Sequence, residues 1–247
     1  MNEIEKFAAD VAHNIRGLTD DADVQALSRI WMREITPHKY AYNFTWMGRP
    51  IIQLPQDMMA VQEIVWRVKP DLIIETGVAH GGSLIYSASL LEMLGGNGRV
   101  LGIDIDIRPH NRREIEAHPM YKRIDLLEGS SIAETTLEQV KQYVAHKESV
   151  LVILDSNHTH DHVLQELQLY SPFVRKGSYC IVFDTLIEDM PASFFDPSLR
   201  PWGKGNNPKT AVHEFLRTND RFDIDADIHN KLLITVAPDG YLRCVKD

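Results

Sequence analysis

From Pro70 onward the chain alternates short unbroken apolar runs with amphipathic stretches, and few architectures accommodate that texture. The runs cover residues 71–76 (DLIIET), 99–104 (RVLGID), 122–127 (KRIDLL), 149–154 (SVLVIL) and 178–183 (SYCIVF). Helical spacing of apolar residues predicts helices near 82–94, 109–117, 132–146, 161–173 and 208–218. A strand that is apolar on successive residues is buried on both faces, so helices must cover both sides of a parallel sheet. Toward the end, residues 222–228, 231–237 and 240–246 follow without helices between them, and Pro238-Asp239-Gly240 is a turn signal. The expected fold is a doubly wound, mostly parallel α/β sheet closed by an antiparallel C-terminal hairpin.

Two amphipathic helices precede this core. Residues 3–16 place Ile4, Phe7, Ala8, Val11 and Ile15 at helical spacing, and residues 21–34 do the same with Val24, Leu27, Ile30 and Trp31. The stretch YNFTWMGRPIIQLPQD, rich in aromatics, Pro and Gly, predicts a loop lying over something, with Asp57 as the cap of a helix 58–69. We divide the chain into residues 1–56, a helical and loop segment expected to build a subunit interface or roof a cleft, and residues 57–247, the α/β domain. Trp31, Met32 and Ile35 supply more apolar surface than the core needs to cover, which points to a homo-oligomer.

Charge narrows the partners. Lys and Arg number 26 against 35 Asp and Glu, a net charge of −9, which disfavours a protein built to grip a phosphate backbone; no nucleic acid is expected. Cys180 and Cys244 are too few for a zinc cluster and sit in apolar runs, so they read as core thiols in a reducing cytoplasm. The opening MNEIEKFAAD is acidic where an export signal is basic, and the apolar runs fall short of the roughly 20 residues that cross a bilayer. A cytoplasmic protein without a membrane span is expected.

The first apolar run enters Glu75-Thr76-Gly77-Val78-Ala79-His80-Gly81-Gly82-Ser83 and then a helix. Glycine after a strand lets a ligand approach the backbone, and an acid at the strand end can reach the hydroxyls or amino group of a nucleoside; the plainer alternative is a strand-to-helix turn needing positive φ. An NAD site would prefer glycine where Ala79 stands, Glu75 would repel a pyrophosphate, and no Gly-Lys-Ser/Thr follows to make a P-loop. The second run ends in Asp104, 27 residues past Gly77 and placed to accept both ribose hydroxyls, or else to cap a helix. After the third run, Glu128-Gly129-Ser130-Ser131 offers small polar groups able to flank a heteroaromatic ring, or simply starts a helix.

The densest set of titratable groups is Asp155-Ser156-Asn157-His158-Thr159-His160-Asp161-His162, at the end of the fourth run. Three histidines and two aspartates within eight residues could ligate a metal or move protons; alternatively this is a polar loop with Asp161 as a helix cap. The carboxyl end of a central parallel strand is where such sheets place ligands, which favours function. Asp184, just after the fifth run, could share a hard cation such as Mg²⁺ with Asp155.

These residues carry a resemblance. The glycine loop, Asp104 and Asp155 look like the S-adenosylmethionine (SAM) site of class I methyltransferases. More specifically, PIIQLPQDMMAVQEIVWRVKPDLIIETGVAHGGS, GIDIDIRPHNR, LDSNH, GSYCIVFDT, WGKGNNPKTAVHEFL and NKLLITVAPDGYLR, in this order across about residues 40–247, resemble the family that groups so-called cephalosporin hydroxylases with rhamnosyl O-methyltransferases. The resemblance implies a Rossmann-like, seven-stranded, SAM-dependent O-methyltransferase acting on a small-molecule hydroxyl, here a sugar of a glycan or natural product. It implies cofactor contacts from Glu75, Gly77, Ala79, Gly81, Ser83, Asp104, Ser130 and Ser131. Catechol-type relatives hold Mg²⁺ through positions matching Asp155, Phe183 and Asp184, of which Phe183 cannot ligate. Their general base matches His158, with Asp155 beside it. Two other readings remain open at this stage, a SAM- or nucleotide-binding sensor without turnover and an NAD-dependent oxidoreductase.

Overall fold

A computed structural model describes residues 2–196 and 198–247 of the chain. The chain opens with α1 (Glu3–Asp20) and α2 (Ala22–Ile35), joined at Asp21, whose carboxylate caps α2 by accepting from the amides of Asp23 and Val24. Two 3-10 turns lead into an antiparallel ribbon, β1 (Phe44–Trp46) and β2 (Arg49–Ile51), where the sequence predicts only a loop. The ribbon does lie over something: Trp46 packs edge-on against Tyr86, with ring centroids 5.0 Å apart, and donates to Ser89 Oγ.

The next helix, α3 (Pro55–Val68), begins earlier than expected because Pro55 at its first position fixes a helical φ. Asp57 is therefore not its cap. It lies buried in the first turn and accepts from Thr235 Oγ1, from the Val236 amide at 2.9 Å and from the Tyr241 hydroxyl at 2.6 Å, tying α3 to the far end of the chain.

The alternation then runs β3 (Leu72–Thr76), α4 (Gly82–Leu94), β4 (Arg99–Asp104), α5 (Pro109–Glu116), β5 (Ile124–Glu128), α6 (Glu134–Val144), β6 (Val150–Leu154), α7 (His160–Tyr170) and β7 (Tyr179–Val182). It ends with α8 (Pro208–Thr218), β8 (Phe222–Ile224), α9 (Ala226–Leu232) and β9 (Tyr241–Cys244). The sheet has seven strands in the order β5-β4-β3-β6-β7-β9-β8; the first five are parallel, and β9 is antiparallel to both its neighbours.

Side-chain alternation sorts the core into two layers. Ile73, Val100, Leu151 and Ile181 face α3, α4, α5 and α9, whereas Leu72, Ile74, Leu101, Val152 and Cys180 face α6, α7 and α8. With both faces covered, β3 and β6 are buried at every residue, as their unbroken apolar sequence requires.

The C-terminal hairpin is corrected in detail. Residues 231–237 form no strand: Ile228 and Leu232 recur at helical spacing and carry α9, and the apolar run after it pairs through Asp57 and one backbone bond, Leu186 N to Val236 O. Pro238-Asp239-Gly240 does make a turn, with Gly240 N donating to Ala237 O, but it feeds β9 into the gap between β7 and β8.

Candidate functional site

Register places the site. Thr76 lies opposite both Ile103 and Leu154, and Leu154 opposite Val182, so β3, β4, β6 and β7 end in line. The next residues, Gly77, Asp104, Asp155 and Phe183, therefore come together, and β3 is where the strand order reverses between β4 and β6. A crevice at that reversal, beyond the carboxyl ends of the strands, is the expected ligand position. A cavity of about 450 Å³ opens there, lined by Gly77, Ala79, Gly81, Ser83, Asp104, Ser130, Ser131, Asp155, His158 and Asp184.

Glycine is obligatory at the centre of this wall. Gly77 has φ 95°, and a Cβ there would stand 2.0 Å from the carbonyl oxygen of Asp155, so β3 and β6 turn away from each other without a side chain between them. Ala79 also takes a left-handed φ of 44°, a strained conformation for a residue with a Cβ. Two groups that sequence reasoning missed hold the loop there. Arg49 on β2 donates to His80 O at 2.7 Å and to Asn111 Oδ1, and Asn111 on α5 donates to Ala79 O at 2.8 Å. The only available signal was chemical, an Arg beside Pro-rich sequence and an Asn early in a helix, and neither is distinctive.

Asp104 sits between loop and cavity. One oxygen accepts the amides of Val78 at 2.8 Å and Ala79 at 3.3 Å, and the other accepts from Asp106. The loop amides that would bind a pyrophosphate in a dinucleotide fold are thus already turned to a carboxylate. Glu75 does not line the cavity: it is buried behind the loop, accepts from Ser83 Oγ, and its Oε2 has no partner. Burial pushes its carboxyl up to about 7.

The Asp155–His162 segment separates its histidines. His158 Nε2 meets Asp184 Oδ2 at 3.1 Å, and ligand atoms of Asp155, His158 and Asp184 lie within 4.8 Å of one another. His160 turns to α8, meeting Thr210 Oγ1 at 2.8 Å and Glu214, while His162 turns to Ser131, Ser156 and Glu166. Asp161 does not cap α7; Thr159 precedes the first turn. Asp184 has φ 56°, another left-handed residue, and lines the cavity. Burial, then the neighbouring carboxylates of Asp184 and Glu75, drive the Asp155 carboxyl well above its ordinary range. Phe183 is buried and offers no ligand atom.

Around this centre stand Tyr42 and Gln53 from the N-terminal segment and Trp202, whose ring meets His158 edge-on at 4.9 Å. Gln53 is buried and its Oε1 is unpartnered. These too were missed, because nothing in the local sequence links the loops around them to the strand ends.

An acid and glycine loop after the first strand, acids after the second and fourth, and a sheet with a reversed last strand define a class I methyltransferase fold. Solved structures agree: the fold matches an apo structure of CmcI with a TM-score of 0.61 (23% identity, 83% of this chain and 78% of that one). It also matches a CmcI structure with Mg and SAM, with a TM-score of 0.55 (22% identity, 83% and 77%). The sequence is 31% identical over 215 residues to a rhamnosyl O-methyltransferase of Mycobacterium tuberculosis H37Rv, covering 83% of this chain and 82% of that protein. It is 29% identical to one of Mycobacterium leprae, covering 83% and 87%. Residues 38–245 match the rhamnosyl O-methyltransferase/CmcI family, and the chain belongs to that family.

Proposed function

We propose that the chain is a SAM-dependent O-methyltransferase that methylates a hydroxyl of a sugar, with His158 as general base and Asp155 and Asp184 as the carboxylates for one Mg²⁺. The observation that carries this reading is the alignment of strand ends, which brings the Asp104 carboxylate, a glycine wall and a histidine–carboxylate pair around one cavity. The names of the relatives support O-methylation and a sugar acceptor.

The residues present fit both absent groups. For SAM, Asp104 lines a cavity of suitable size, Ser130 and Ser131 stand where the base would lie, and the buried, unpartnered Oε1 of Gln53 is an acceptor left open for an ammonium group. Glu75 supports the loop from behind. For Mg²⁺, two carboxylates suit a cation that retains several waters and needs few protein oxygens. SAM, when bound, supplies an electrophilic sulfonium methyl, and Mg²⁺ would lower the cost of an alkoxide. His158 takes the hydroxyl proton, and Asp184, at 3.1 Å from Nε2, orients the imidazole and stabilises its cation. Tyr42, Gln53 and Trp202 narrow the cavity and exclude water, and positioning of the acceptor oxygen does the rest.

A sensor would bind SAM without turnover, and an oxidoreductase would have to displace Asp104 from the loop amides to seat a pyrophosphate. Two buried free thiols, Cys180 and Cys244, support a cytoplasmic setting, and the exposed apolar residues of α1 and α2 support a homo-oligomer. Among the described residues no helix is long and apolar enough to cross a membrane. The deciding experiment is methyl transfer from labelled SAM to rhamnose-bearing glycans, with His158→Ala and EDTA arms. The expected result is a turnover loss of about 10² to 10⁴ for His158→Ala with SAM affinity intact, and loss of activity with EDTA that added Mg²⁺ restores. Full activity in both arms would refute the assignment of base and metal.

A further inference from the structure

Behind the cavity wall lies a set of groups the methyl-transfer chemistry does not use. Glu166 on α7 is fully buried, does not line the cavity, and accepts a hydrogen bond from Ser156 Oγ at 2.7 Å; its second oxygen has no partner. His162 Nε2 lies 3.1 Å from Ser131 Oγ and 3.3 Å from Ser156 Oγ. Both serines and His162 line the cavity, and the Tyr170 hydroxyl fixes Ser131 by donating to its carbonyl at 2.7 Å.

A buried carboxyl is costly unless it serves a partner. Beside His162 Nε2, 3.4 Å from its Oε1, its hydrogen-bond partner here is a hydroxyl with one proton. Because Ser156 gives that proton to Glu166, its oxygen can present only lone pairs to the cavity. The surroundings say what those lone pairs meet. Ile105, next to the ribose acid Asp104, lines the same cavity and is 73% exposed, an apolar face without a protein partner that suits a flat ring. A purine ring lying on Ile105 would have its polar edge free to meet Ser156.

We infer that Glu166 sets the base specificity of the cofactor site by committing the Ser156 proton, so that the wall accepts from the 6-amino group of adenine and rejects a 6-oxo purine. Glu166 is a positioning residue that acts through Ser156. The inference rests on the SAM reading of the site.

The test is calorimetric binding of S-adenosylhomocysteine and S-inosylhomocysteine to the full chain, which differ in whether position 6 donates or accepts. Wild type is expected to prefer the adenosyl compound by about 10- to 100-fold, the worth of one hydrogen bond gained against one acceptor left facing another. Glu166→Met removes the acceptor at similar volume, frees the Ser156 proton and should bring the ratio to within about threefold; Glu166→Gln keeps a carbonyl acceptor and should retain most of it. Should Glu166→Met not fold, Ser156→Ala carries the test, with the same collapse of the ratio expected. An unchanged ratio in Glu166→Met or Ser156→Ala, or equal loss in the Met and Gln variants, overturns the inference. A wild type that binds neither compound refutes the SAM reading instead.

Discussion

Replacing Glu75 by glutamine should stabilise the protein, by an amount that grows as pH rises from about 4.5 through 7. Glu75 is buried behind the glycine loop, and burial raises its carboxyl from 4.5 to about 7. Between these values the folded state holds a proton that the unfolded chain has released, so stability from this group is full below about pH 4.5 and is lost as pH rises through 7. A shift of that size corresponds to roughly 3 kcal/mol once both states are ionised, at 1.36 kcal/mol per unit. The glutamine side chain keeps an acceptor for Ser83 Oγ and carries no charge, so the variant escapes that loss. Asp57, which burial pushes up to about 6, titrates in both proteins and cancels in the difference. Asp155 feels the Glu75 charge, so removing that charge adds in the same direction. Urea unfolding of ligand-free wild type and Glu75→Gln should give similar stabilities near about pH 5 and an advantage for the variant of up to about 3 kcal/mol near about pH 8.5. The same difference at both pH values would refute the argument.

Three more outcomes follow from the geometry. Asp104→Ala should weaken SAM binding by about 2 kcal/mol in calorimetry, and it should also lower the apo melting temperature, because Asp104 holds the amides of Val78 and Ala79. Gly77→Ala should lose SAM binding and at least about 3 kcal/mol of stability in chemical denaturation, since its Cβ would overlap the Asp155 carbonyl. Deleting residues 1–36 exposes Met190 and Leu54, which pack on Met32, and removes the exposed Ile4, Phe7, Leu27 and Trp31; sedimentation should show a smaller assembly or binding assays a weaker acceptor affinity, and no change in either would show that the segment does neither job.

The parallel sheet was legible because its strands are buried on both faces and carry an unbroken apolar signature, as in Leu72–Ile74 and Val150–Leu154. The same reading failed at residues 231–237, where an apolar run is buried without being a strand: Asp57, nearly 180 residues away in sequence, supplies the hydrogen bonds that a neighbour strand would give. Asp57 was misread for the reciprocal reason, since an acid near a helix start has a local explanation and its true partners are distant. At the site, residues on strand ends were readable because β-register fixes where they go. His160 and His162 were not, because α7 turns them away from His158 by its own geometry, onto partners contributed by α8 and by the loop after β5. Gln53 and Trp202 reach the cavity from loops that no periodicity describes.

The insertion of β9 between β7 and β8 has a consequence for the order of events during synthesis. β8 leaves the ribosome before β9 and has no strand to pair with, and the edge of β7 stays open for the same interval. Asp57, made far earlier, lacks its partners until Thr235, Val236 and Tyr241 are made. The last strand therefore works as a key: one late segment closes two open edges and satisfies an acid in the first helix of the domain. A nascent chain stopped short of Tyr241 should hold its parallel strands yet remain protease-sensitive across β7, β8 and α3 together, and become resistant in all three when the last residues emerge.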